Sequence, residues 1–120
     1  VISTSLGGNM DDLKYGKDLI QFAPREAKAF LDLKATAERQ DGVIPAKYRE
    51  LVSIGVALTT QCTYCIDAHT NNAIEAGATR QEIAEVVFIA AALRAGAAVG
   101  HGLLAMKKAS ESRPWEEYQR

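Results

Sequence analysis

The two cysteines of this chain stand together in Cys62-Thr63-Tyr64-Cys65, and His69 follows four residues after the second. Glu50 lies upstream in Lys47-Tyr48-Arg49-Glu50-Leu51-Val52. Thiol redox chemistry needs these parts: a nucleophilic sulfur, a second sulfur to capture the oxidised first one, and groups that remove and carry protons. At CxxC spacing two side chains share one helix face and can be bridged when the first is at the helix end. Unpaired amides at a helix N-terminus favour a thiolate, and such surroundings lower a thiol pKa from its free value of roughly 8.5. His69 lies one turn beyond Cys65 on the same face, so its ring can relay a proton at that sulfur. Cys62 is further from it by helix geometry. The asymmetry makes Cys65 the activated sulfur and Cys62 the resolving one.

Glu50 admits two readings. It is either a solvated first-turn glutamate that favours the helix dipole, or a semi-buried general base. Tyr48 and Tyr64 read as packing residues with a polar tip. Tyr64, inside the CxxC, can also donate a hydrogen bond to a substrate oxygen or a thiolate. His101, in Val99-Gly100-His101-Gly102, reads as a helix-packing histidine.

The elements that must hold this pair are helices. Strand alternation is weak throughout, whereas helical spacing is strong and punctuated. Asp11 or Asp12 is placed to cap a first helix to about Phe22. Pro24 suits the first turn of a second, ending near Arg39. Asp41-Gly42 is a turn, and Pro45 opens a third helix to about Thr59 or Thr60. A break at Gln61-Cys62 starts a fourth, closed by Gly77. Thr79 and Glu82 form a capping box for a fifth. Gly96 is expected to break it, with a sixth from about Ala97 to Ala109. The third and fifth helices are apolar on most faces, which predicts a homo-oligomer that buries the surplus, the alternative being a well-buried central helix hairpin in a monomer.

The 120 residues form one domain by size, 1–120, with a core over about 20–109. A net charge of −1 gives no basic field for nucleic acid. The apolar stretch from Ile83 to Val99 is interrupted by Glu85 and Arg94, so no membrane span is expected. Val1-Ile2-Ser3-Thr4-Ser5 has neither a basic nor an apolar leader region, so a cytoplasmic location is expected.

The pattern Glu50, eleven residues, Cys62, two residues, Cys65, three residues, His69 resembles the signature of the alkylhydroperoxidase D-like group of the carboxymuconolactone decarboxylase family. Tyr48-Arg49-Glu50-Leu51-Val52, Ile83-Ala84-Glu85-Val86 and Gly100-His101-Gly102 are similar to it as well, and the likeness covers roughly 20–109. The resemblance implies a compact all-α, six-helix fold assembled as trimers or hexamers. It implies peroxidase or disulfide-reductase activity on hydroperoxides, with Cys65 peroxidatic, Cys62 resolving, and Glu50 and His69 as the proton relay. The reductant would be a dihydrolipoyl-bearing or thioredoxin-like dithiol protein, and no cofactor or metal is implied. One departure stands out: well-studied hydroperoxidases carry a histidine directly before the second cysteine, where this chain has Tyr64. The alternatives are the decarboxylase that names the family, whose members generally lack the CxxC pair, and a non-catalytic helical oligomer. A further alternative is a zinc site of Cys62, Cys65 and His69, completed by His101 or Glu50.

Overall fold

The computed structural model describes residues 10–112, and every regular element within them is helical. A 3-10 segment, Met10–Tyr15, leads into α1 (Gly16–Phe22), α2 (Pro24–Ala37), α3 (Ala46–Thr60), α4 (Thr63–Glu75) and α5 (Arg80–Glu111). Pro24 opens α2, where a missing backbone N–H leaves no bond unmade. Pro45 stands just before α3 in an extended conformation. Gln61 closes α3 in the left-handed region at φ 58° and turns the chain so that Cys62 caps α4. Gly77, at φ 94°, ends α4, a conformation that L side chains rarely adopt.

Two boundaries differ from the sequence expectation. The first helix is split, with a 3-10 turn over Met10–Tyr15 before α1. The expected fifth and sixth helices are one, because α5 runs through Gly96 to Glu111. A glycine costs a helix interior only about 1 kcal/mol against alanine. The neighbouring Ala95, Ala97 and Ala98 are the best helix formers, and no proline enforces a stop. The described chain therefore has five α-helices, not six.

The capping box at the start of α5 is complete. Thr79 Oγ1 accepts from the Glu82 N–H at 3.1 Å, and the Thr79 N–H donates to Glu82 Oε1 at 2.9 Å. The other Glu82 oxygen lies 3.0 Å from Lys47 Nζ on α3. The Thr79 amide first, and Lys47 second, hold the Glu82 carboxyl below the usual carboxylate range, while the bond to Glu82 pushes Lys47 upward. A depressed carboxyl contributes stability above its ordinary value and loses it as pH falls through the lowered one. Thermal melts followed by circular dichroism are thus expected to show an acid limb beginning below about pH 4.5 that Glu82→Gln flattens. Thr79→Ala is expected to cost about 1 kcal/mol at neutral pH.

Helix α3 packs on α4 and α5, whereas α1 packs on α2. Leu51, Ile54 and Ala73 form the buried core, with Leu58, Ala78, Ile83 and Val86 against it. Arg94 Nη1 donates to the Thr59 carbonyl at 3.1 Å and ties α5 to the end of α3. The whole is elongated, 64 × 41 × 32 Å, with a radius of gyration of 20.6 Å. A compact chain of this length would measure about 14 Å. Large apolar side chains lie open, among them Phe22, Phe30, Phe88, Leu93 and Leu103. Ala90 is the one buried residue of α5. From Val86 to Met106 the only charged residue is Arg94, and the continuous α5 is long and apolar enough by length and composition to cross a membrane.

Candidate functional site

The thiol pair sits where α3 hands over to α4. Cys62 is the N-cap of α4, and its Sγ accepts the Cys65 N–H at 3.3 Å. That contact satisfies one of the amides a helix start leaves unpaired. Cys62 and Cys65 are joined as a disulfide, with their Cα atoms 5.3 Å apart. A cleft of about 240 Å³ is lined by Cys65 and His69 together with Glu38, Val52, Ser53, Val56, Ala57 and Thr60. Cys62 is not among its walls, so Cys65 is the sulfur that shares a surface with the imidazole.

His69 is buried, with 8% of its surface exposed. Its Nδ1 lies 2.6 Å from Glu50 Oε2. This brings α3 and α4 together across 19 positions of sequence. Glu50 itself is semi-buried, its side chain 14% exposed, so it is not the solvated first-turn glutamate that its position also allowed. Glu50 also lines a second, polar recess with Gln40, Asn72 and Glu75. Arg49, next to Glu50, turns the other way and donates to the carbonyls of Ala37 and Ile44, which fastens the end of α2 to α3. A Cβ at Gly42 would meet that guanidinium, so a larger residue there would displace the Arg49 side chain.

Two contributors were not found by sequence reasoning. Glu38, at the C-cap of α2, places Oε1 3.0 Å from His69 Nε2, while its other oxygen pairs with Lys34. A carboxylate at a helix C-terminus opposes the macrodipole, and that anomaly was the available signal. Asp12, in the 3-10 segment, accepts the Tyr64 hydroxyl at 2.9 Å. Tyr64 therefore points its polar tip at the N-terminal arm. Tyr48 is half exposed beneath Lys47 and lines an apolar groove between α3 and α5. His101 is exposed on α5, outside the cluster of Glu38, His69 and Glu50.

An all-α chain that presents a CxxC at a helix start, beside a histidine held by a carboxylate, defines a class of helical dithiol protein. Residues 24–108 match the carboxymuconolactone decarboxylase family, and the chain belongs to it. It is 41% identical over 61 residues to uncharacterised protein 4 of the cox locus from Paracoccus denitrificans, covering 51% of this chain and 55% of that one. It is 36% identical over 69 residues to an uncharacterised protein of Cupriavidus necator, covering 58% and 60%. The chain thus spans little more than half the length of these curated relatives. Among solved structures it resembles the apo form of a carboxymuconolactone decarboxylase family protein from Legionella pneumophila. That match has a TM-score of 0.61 and 26% identity and covers 69% of this chain and 73% of that one. A protein from Methanobacterium thermoautotrophicum aligns with a TM-score of 0.65 and 27% identity, over 76% and 98%.

Proposed function

We propose that this chain is a thiol-dependent peroxidase and disulfide reductase that cycles Cys62 and Cys65 between dithiol and disulfide. The observation that carries the reading is the shared cleft of Cys65 and His69, with His69 held by Glu50 at 2.6 Å. In the oxidative half, the Cys65 thiolate attacks the outer oxygen of a hydroperoxide and the O–O bond breaks. The alcohol leaves with the thiol's proton, carried by His69 and Glu50, and Cys65 becomes a sulfenic acid. The Cys62 sulfur then displaces water and closes the disulfide. A dithiol reductant, dihydrolipoyl-bearing or thioredoxin-like, restores the pair by exchange.

The test is to treat the reduced protein with one equivalent of an organic hydroperoxide and count thiols and alcohol. Loss of two thiols per alcohol formed is expected. A reduced pair that ignores the hydroperoxide sinks the reading in favour of a non-catalytic oligomer. Turnover of a carboxymuconolactone by a variant lacking both cysteines would place the chemistry in the decarboxylase instead. Glu50→Gln keeps the shape of the relay and removes its base, so stopped-flow oxidation should slow by about 10²–10⁴-fold.

The working form is a homo-oligomer in the cytoplasm, a trimer or hexamer. The elongated shape and the open faces of α1, α2 and α5 support a second copy as their cover. Repeated burial of Phe88, Leu93 and Leu103 would supply the core that one chain lacks.

A further inference from the structure

Glu38 is a carboxylate in an unfavourable place. It ends α2, where the helix dipole repels negative charge. Two partners offset this, and each takes one oxygen: Lys34 holds Oε2, and His69 Nε2 lies 3.0 Å from Oε1. The second contact ties the end of α2 to α4, beside the Arg49 bond that fastens α2 to α3.

The proton count at His69 is informative. A neutral imidazole carries one N–H. Here each ring nitrogen faces a carboxylate, Nδ1 at 2.6 Å from Glu50 and Nε2 at 3.0 Å from Glu38. The Nδ1 contact is a hydrogen bond, and the Nε2 contact is an ion pair when the ring carries a second proton. The two sides are also distinct in space. Glu38 lines the cleft that Cys65 lines, while Glu50 lines the polar recess with Gln40, Asn72 and Glu75. His69 thus shares one cleft with Glu38 and Cys65, while its other partner, Glu50, borders a separate polar recess.

We propose that Glu38 is a positioning residue that holds a proton on His69 Nε2 while the cysteines are bridged, so that the imidazole enters reduction loaded, in the cleft it shares with Cys65. The proposal rests on the dithiol cycle above and concerns its reductive half. A thiolate of a reducing dithiol attacks Cys62 Sγ, the Cys62–Cys65 bond breaks, and the electron pair leaves on Cys65. That thiolate takes the Nε2 proton. The second donor thiolate then attacks the mixed disulfide and frees Cys62, which is protonated in turn. Of the two protons lost by the donor, one ends on Cys62 and the other reloads His69 in place of the proton it gave to Cys65. The donor is oxidised to its disulfide and the protein is reduced by two electrons. Glu38 touches neither sulfur; it acts through His69.

The test uses the full chain with Glu38→Gln and Glu38→Asp beside wild type. The first readout is NMR of the bridged protein. Wild type should show two slowly exchanging imidazole N–H signals for His69, and Glu38→Gln should lose the Nε2 signal. The second is anaerobic stopped-flow reduction by dihydrolipoamide. Glu38→Gln should slow it about tenfold, less than loss of a proton-transfer group itself. Glu38→Asp should restore most of both. If Glu38→Gln keeps both signals or is reduced at the wild-type rate, the proposal is overturned. The same holds if Glu38→Asp is as slow as Glu38→Gln, since loss of α2 packing would then explain the effect. Neither readout involves a peroxide, so a protein inert to hydroperoxide overturns the peroxidase reading and not this one.

Discussion

Cys65→Ser is expected to abolish the fast reaction with hydroperoxide, a loss of about 10³-fold or more, as for removal of a covalent nucleophile. Cys62→Ser is expected to keep it and react once. The difference follows from where the sulfurs sit. Cys65 borders the cleft with His69, and Cys62 does not. Cys62 is the N-cap of α4 and accepts the Cys65 N–H. Serine is among the best N-cap residues, so Cys62→Ser should fold and hold the helix start. With no second sulfur to close the bridge, it should accumulate a sulfenic acid on Cys65 that dimedone traps. Stopped-flow oxidation and mass spectrometry decide the matter. If Cys62→Ser loses the first step while Cys65→Ser retains it, the two roles are reversed.

Charge placed on α5 is expected to prevent the proposed assembly. Phe88 and Leu93 are 73% and 66% exposed in the single chain, on a helix with one buried residue. Burying such a side chain is worth about 1.5–3 kcal/mol, and symmetry repeats the contact in every copy. Phe88→Asp or Leu93→Asp would put a carboxylate into that contact, so loss of the oligomer together with much of the helicity is expected. Light scattering should give wild type a mass that is a multiple of 13.0 kDa. A stable, fully helical wild-type monomer would refute a second copy as the cover of these faces. Partition of wild type into lipid vesicles would assign the face of α5 to a bilayer.

The local punctuation was legible because each signal has a short-range cause. Pro24, Gly77 and the Thr79–Glu82 box act within one turn, and each lies at the helix boundary its chemistry predicts. Gly96 was misread because a glycine is a weak, context-dependent interruption, and the alanines around it carry the helix through. At the site, His69 was readable from helical spacing, whereas the residues alone left Glu50 between two readings and only the family resemblance put it in the relay; the two meet in space. Glu38 and Asp12 were not readable, because their contacts to His69 and Tyr64 join distant elements. The bond from Tyr64 to Asp12 alone spans 52 positions. No local periodicity encodes such a pairing; it arises when the arm is laid against α4.

That last bond bears on where the redox unit starts. The segment shared with the family begins at residue 24, after the arm's Asp12. A fragment cut to that shared segment would keep both sulfurs, His69 and its two carboxylates. It would lose the Asp12 hydrogen bond to the tyrosine that stands between the cysteines. Excising the common core is thus no neutral trimming, since the first turn of α4, where both sulfurs stand, would lose a contact that reaches it from outside that segment.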